Sequence, residues 1–303
     1  MQIINSYTDA HLDVNEWNTR RLMPSLPNRD WREEIHEEYQ NRIREGELVE
    51  RWRKNVCAEA QRAPSEPEAF VAWFEALKTH GPGQGDTLFP WLATTANLSQ
   101  LKWFLTQEVS GEAGFDDLVA LTQVRFEGRA KLELARNYWD EMGRGTQKGM
   151  HGPMLTRLAR ELNLPTDREP VFEAIALSNL MIAFASNRRY AYHSIGALGV
   201  IELTAPERCM YINQSLKRLG VKGHARMYYA LHSTLDIAHS KGWNSEVLLP
   251  LLEEHPACGV AIAEGALMRL SAGQRCFERY RRELGISRPD NRELQLQTCS
   301  DAA

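Results

Sequence analysis

Apolar residues recur along most of this chain at the three- and four-residue spacing of one helix face, and no run of strict alternation demands a sheet. Residues 30–62 are charged and helix-favouring, with Trp31, Ile35, Tyr39, Ile43, Val49 and Trp52 as their apolar set. Pro64-Ser65-Glu66-Pro67 interrupts, and Glu66 to Lys78 reads as a second helix carrying Phe70, Trp73, Phe74 and Leu77. His80-Gly81-Pro82-Gly83-Gln84-Gly85 is the clearest linker. Beyond it the pattern predicts helices near 91–109, 115–142, 150–162, 169–186, 188–203, 206–219, 223–241 and 244–285, the last broken at His255-Pro256. Pro165, Pro170, Pro206 and Pro256 stand near expected starts or breaks. The expected class is all-α: an N-terminal helical extension over residues 1–85, a helical bundle over 86–286, and a polar tail over 287–303. The extension is expected to bury apolar surface rather than to cover a pocket.

One stretch breaks this bland pattern. Residues 229–239 read Tyr-Ala-Leu-His-Ser-Thr-Leu-Asp-Ile-Ala-His, placing His232, Asp236 and His239 at i, i+4 and i+7. Successive helical residues turn by about 100°, so the three share one narrow stripe. Two imidazoles and a carboxylate are costly to bury together unless a cation meets them, and the donor types suit iron or manganese better than structural zinc. More ligands must come from elsewhere. Asp140 and Glu141 precede Gly143, Gly145 and Gly149, and His151 follows. A continuous helix would hold Glu141 and His151 about 15 Å apart, but the glycines offer a break that folds His151 back. Glu202 lies in a run of small and apolar residues, Gly196-Ala197-Leu198-Gly199-Val200-Ile201, and needs a partner. Asp140 reads as a solvated or supporting carboxylate. His193 and His224 read as ordinary histidines. Arg144 and Lys148 could meet an anion, although a charged loop needs no such explanation.

Over roughly residues 90–255 these blocks, in this order, resemble the haem-oxygenase-like di-iron oxidases and oxygenases, the iron-containing redox enzymes. The resemblance rests on Asp140-Glu141-x-Gly143-x-Gly145 with His151, on Gly196-Ala197-Leu198-Gly199-x-x-Glu202, and on His232-x-x-x-Asp236-x-x-His239 followed by Trp243 and Pro250. It implies a haem-oxygenase-like helical bundle binding two irons per chain, with O2 as co-substrate. The implied ligands are Glu141, His151, Glu202, His232, Asp236 and His239, with Glu141, Glu202 and Asp236 as the catalytic carboxylates. A further Glu from an earlier helix is implied, and Leu101 to Glu108 fits that helix. Glu108 is the expected seventh ligand and Glu112 the alternative register. The family often has an aromatic after the Gln-Glu pair, where this chain has Val109. Four carboxylates would then roughly neutralise two ferrous ions. The resemblance implies oxidation of a small organic substrate by N-oxygenation, desaturation or C–C cleavage. The wide Glu141…His151 spacing resembles the N-oxygenating members, which favours an amine or amino-acid-like substrate.

Composition narrows the setting. The 303 residues carry a net charge of −4 with both signs interspersed, and no basic patch points to nucleic acid. No apolar run approaches a membrane span, and Met1 to Tyr7 lacks a secretory pattern. The five scattered cysteines show no C-x-x-C pair, so neither disulfides nor a thiolate metal site is expected. The expectations are a cytoplasmic enzyme, in a homodimer or alone, with a small-molecule substrate and an external electron donor. Two rivals are a haem-binding or haem-degrading protein on the same scaffold, and a non-catalytic helical interaction protein. The first would leave Glu202 and Asp236 without purpose, and the second would bind no metal. A thiaminase-like enzyme would want a nucleophilic cysteine within the motifs, and none lies there.

Overall fold

The computed structural model describes residues 2–111, 114–165 and 170–286, so Glu112 and the tail from 287 fall outside the described residues. Thirteen α-helices are described: α1 (Gln2–Leu22), α2 (Trp31–Ala60), α3 (Pro67–His80), α4 (Leu88–Thr94), α5 (Leu98–Gly111), α6 (Phe115–Thr122), α7 (Gly128–Glu141), α8 (His151–Glu161), α9 (Phe172–Ser186), α10 (Ala191–Arg218), α11 (Met227–Gly242), α12 (Leu249–Glu254) and α13 (Gly259–Leu284). Among the described residues there is no strand, only an isolated antiparallel bridge between Met142 and Met150. None of the described helices is long and apolar enough to cross a membrane.

Helix α10 is the central post, packed along its length against both α11 and α13. The close approach of α13 depends on Gly196, where an added Cβ would lie 1.9 Å from the carbonyl oxygen of Ile262. The indole of Trp243, fully buried, donates to the carbonyl of Ile195 at 3.2 Å and pins the end of α11 to α10. It opens a π-helical turn, Trp243–Leu248, that carries the chain into α12. Val49, Trp52, Phe70 and Phe74 from α2 and α3 join Leu180, Ile195, Val200 and Ile262 in one apolar core. The helices before the Gly81–Gly85 turn therefore share a core with those after it.

Several expectations about the helices need correction. The single helix expected near 91–109 is two, α4 and α5, parted at Thr95 to Asn97. The single helix expected over 115–142 is two, α6 and α7, because Arg125 and Gly128 both adopt left-handed backbone, at φ 65° and 58°. The two expected over 188–203 and 206–219 are one, α10, with Pro206 inside it. Proline tolerates this position because the helix is held on several sides, and its missing N–H leaves the carbonyl of Glu202 without its usual donor. Within the expected N-terminal helical extension, Gln2–Leu22 forms a helix, α1, that the apolar spacing does not single out. On α2 the expected apolar set divides: Val49 and Trp52 are buried, but Trp31, Ile35, Tyr39 and Ile43 are exposed. Asn41 and Glu45 are buried in that half instead, where Glu45 meets Arg42 at 2.8 Å and Arg21 at 3.4 Å.

Candidate metal centre

Four helices, α7, α8, α10 and α11, and the loop between α7 and α8 build the site. On α11, His232, Asp236 and His239 are all buried, as their shared stripe requires. The stripe is internally bonded: His232 Nδ1 lies 3.0 and 3.2 Å from the two Asp236 oxygens. From α10, Glu202 points inward and accepts from Asn137 Nδ2 at 2.6 Å.

The chain between Glu141 and His151 does not continue the helix. Gly143, Arg144 and Gly145 take φ of 61°, 52° and 80°, and the Met142–Met150 bridge closes the excursion. An added Cβ on Gly143 would sit 2.2 Å from the carbonyl carbon of Gly149, so no other residue allows this crossing. The result brings His151 Nδ1 to 2.6 Å from Glu141 Oε2, where an unbroken helix would have separated them.

Two clusters follow. Glu141, His151 and His232 each offer one ligand atom within 4.8 Å of the others, and so do Glu202, Asp236 and His239. The clusters are joined through the His232–Asp236 contact, and the rings of His151 and His232 meet edge to face at 4.6 Å. Glu141 Oε1 and His232 Nε2 are buried without a hydrogen-bond partner, and His151 Nδ1 and His239 Nδ1 face carboxylate oxygens without making an aligned hydrogen bond. Buried polar atoms are nearly always satisfied. Two unpartnered atoms and two poorly aligned ones on four of the six converging residues fit a bound cation, and the imidazole and carboxylate donor set fits iron or manganese.

The outer ring nitrogen of His239 is held. His239 Nε2 lies 3.1 Å from Asp140 Oδ2, whose other oxygen accepts from Arg144 Nε at 2.6 Å. Asp140 thus fixes the tautomer that leaves His239 Nδ1 facing Glu202, at 3.4 Å. Arg144, flanked by the two glycines, is committed to this contact.

The charges of the metal-free site are strongly perturbed. Burial raises the Glu202 carboxyl to about 7, and the neighbouring Asp236 charge adds to it. For His232, burial favours the neutral ring, but the bond to Asp236 and the charges of Glu141 and Glu202 outweigh it and raise the ring to about 9. His239 rises likewise to about 9, burial being overcome by Glu202, Asp140 and Asp236.

Glu108 belongs to neither cluster. Its carboxyl is pushed up by burial and pulled down by Arg208 and Arg269. His193 pairs with Glu264 at 2.9 Å, and His224 with Glu161 at 2.5 Å, both outside the clusters. A cavity of about 110 Å³ opens on the site, lined by Glu141, Glu202, His232 and Asp236 and by the apolar Phe115, Leu118, Leu177, Met181 and Ile201. Ala205, Cys209, Tyr228 and Arg269 complete the lining, and the motifs do not single them out. Only Arg269 carried a signal, as a lone charge in Gly265-Ala266-Leu267-Met268-Arg269-Leu270.

A family described as iron-containing redox enzyme matches residues 102–274, more than half of the sequence. The chain belongs to this family, and its all-α fold is the haem-oxygenase-like one. It is an oxidoreductase of an iron-containing class. Two crystal structures of a CADD-like protein of unknown function from Nostoc punctiforme PCC 73102, at 2.00 and 1.35 Å resolution, share the fold. They have TM-scores of 0.51 and 0.50 and are 17% and 16% identical, over 80% of this chain and 98% and 96% of theirs. No curated protein matches the chain.

Proposed function

We propose that this chain is a non-haem di-iron oxidase or oxygenase that uses O2 to oxidise a small amine or amino-acid-like substrate, with N-oxygenation the favoured reaction. The observation that carries this reading is the pair of three-residue clusters opening on one cavity. Bound there in the ferrous state, iron supplies the electrons and the O2 chemistry that side chains lack. Glu141, Glu202 and Asp236 supply anionic ligands, and His151, His232 and His239 supply neutral ones. Binding therefore requires His232 and His239 to release their protons, and Glu202 to ionise. The apolar lining keeps bulk water from the reacting centre. The ten-residue Glu141…His151 spacing supports N-oxygenation over C–C cleavage by analogy with the family's N-oxygenating members.

Complete reduction of O2 to water takes four electrons. A substrate that gives two leaves two for an external donor, so a soluble reductant or a partner protein belongs to this proposal. A haem protein on this scaffold would have no use for buried carboxylates at 202 and 236.

The test is anaerobic titration with ferrous iron, followed by metal analysis, Mössbauer spectroscopy and O2 uptake. Two irons per chain and O2-dependent oxidation of the ferrous centre are expected. Failure to bind iron, or stoichiometric binding of haem instead, would overturn the reading.

A further inference from the structure

A second cavity, of about 600 Å³, lies away from the metal clusters, between α1, α2, α9 and α13. Helices α9 and α13 part it from the metal cavity: Ala176 and Ala272 line the one, Leu177 and Arg269 the other. Its size falls within the about 300–1,000 Å³ typical of small-molecule sites. Three aromatic rings wall it, Tyr7, Trp52 and Phe172, and Tyr7 meets Phe172 edge to face at 5.8 Å. A planar ring gains more against such walls than an aliphatic chain does, because offset and edge contacts add to the area buried.

Two of the three rings carry a guanidinium. Arg275, which also lines the cavity, lies 4.3 Å over Trp52, and Arg51 lies 4.4 Å over Tyr7. Stacking engages the face of a guanidinium and leaves the N–H groups on its rim. Among the described residues neither arginine pairs with a carboxylate, whereas Arg281 pairs with Asp86 and Arg282 faces Glu173 at 3.5 Å. Burial raises the pKa of the Tyr7 hydroxyl and both Arg275 and Arg51 pull against it, so their charges converge on one wall of the cavity. Two cations converging there without a carboxylate from the chain attract an anion from outside it.

We propose that this cavity is a second ligand site, for a small aromatic carboxylate or phosphate, its ring lying among Tyr7, Trp52 and Phe172 and its anionic group meeting Arg275 and Arg51. The site is independent of the di-iron reading, because it shares no residue with the metal clusters. Its rival is that the two arginines only cover aromatic surface with their side chains, in which case a ligand's charge is immaterial.

Isothermal titration calorimetry on the full-length, metal-free chain separates the two. The probes are indole-3-acetate, indole-3-acetamide and acetate. Indole-3-acetate should bind, with the amide and acetate each weaker by at least about tenfold, since one lacks the charge and the other the ring. Benzoate against phenyl phosphate then assigns the head group, and binding of either supports the site. In Arg275→Met the acid-over-amide preference should fall severalfold, and in the double variant with Arg51→Met it should vanish, with helical content by circular dichroism unchanged. Loading with manganese should leave the affinity for indole-3-acetate within about twofold, as expected of separate sites. Equal binding of acid and amide by the unaltered chain overturns the proposal without any variant, and so does the absence of binding at concentrations on the order of millimolar. A preference that survives the double variant overturns it too, as does an acid that binds only the manganese-loaded chain, since the anion would then sit elsewhere. Failure to load metal is a different result: it removes the di-iron reading and leaves this site standing.

Discussion

Helices α11 and α2 each break the rule that apolar faces turn inward, and they break it in opposite directions. On α11 a polar stripe of His232, Asp236 and His239 is buried. On the first half of α2 an apolar stripe of Trp31, Ile35, Tyr39 and Ile43 is exposed, Trp31 at 58% and Tyr39 at 60%. Both stripes follow helical spacing, so periodicity reveals the face in each case but not what covers it. Burying the polar stripe requires matching charges from α7, α8 and α10, and the sequence announces them because they belong to the same chemistry. Nothing comparable marks the polar contacts of Glu45 with Arg21 and Arg42 that turn α2 the other way.

The sharpest break of this comparison is to empty the polar stripe. Changing His232, Asp236 or His239 to Ala should each remove at least one iron per chain, by metal analysis, while circular dichroism retains the helices. Unchanged iron in all three would mean that the stripe serves only to pair buried charges. A smaller effect is expected one contact further out. Asp140→Asn keeps the size of the side chain but weakens its hold on His239 Nε2, and such supporting contacts are typically worth about 10–100-fold in metal affinity. Competition with a metallochromic chelator measures this. Arg144→Ala, acting only on Asp140, should lose less.

What could be read in advance follows the range of each signal. The α11 stripe lies within eight residues on one helix, and its geometry is fixed by helical rotation alone. Glu141 and His151 were legible because three glycines in seven positions advertise a break, and the bridge between Met142 and Met150 realises it. Glu108 lies outside both clusters, with Arg208 and Arg269 acting on its carboxyl, and a lone Glu on an isolated helix gives no register. Arg269 and Cys209 reach the cavity from helices whose rotation is set by packing at Gly196 and elsewhere, which no local pattern encodes. Pro206 misled because proline usually marks an end, and only tertiary support lets α10 continue through it.

Proton linkage offers a subtler contrast between the metal centre and the N-terminal helices. In the metal-free protein His232 and His239 are raised from 6.5 to about 9, and Glu202 from 4.5 to about 7. A raised native value means that the folded state holds the proton more tightly. These groups therefore stabilise fully below their unfolded values, and that contribution is lost as pH rises through about 7 and then about 9. His11 on α1 is the reverse: burial, with the Arg51 charge adding, lowers it to about 4. Its contribution is complete above 6.5 and is lost as pH falls towards 4. Metal-free protein should accordingly lose thermal stability between pH 6.5 and 9 in calorimetry, and His11→Phe should ease the loss below pH 6.5. Manganese or anaerobic ferrous iron should reverse the alkaline trend, because ligation replaces those protons, and should release protons into weak buffer. A metal-free melting temperature that rises from pH 6.5 to 9 would contradict the assigned charges.

The smallest effect is expected on the exposed stripe of α2. Ile35→Ser and Tyr39→Ser remove apolar groups that already meet solvent, so each should change the stability measured by urea unfolding by no more than about 0.5 kcal/mol. Trp52→Ala, further along the same helix but in the core, should cost about 3–5 kcal/mol. The pair of measurements uses one helix as its own control, since propensity differences between the substituted residues are smaller than the gap. If the serine variants instead cost more than about 2 kcal/mol, the stripe is covered in solution, for this is the scale of burying one such side chain. Sedimentation then decides the matter: a dimer that dissociates in Ile35→Ser would give the apolar stripe the partner that α7, α8 and α10 give to the polar one.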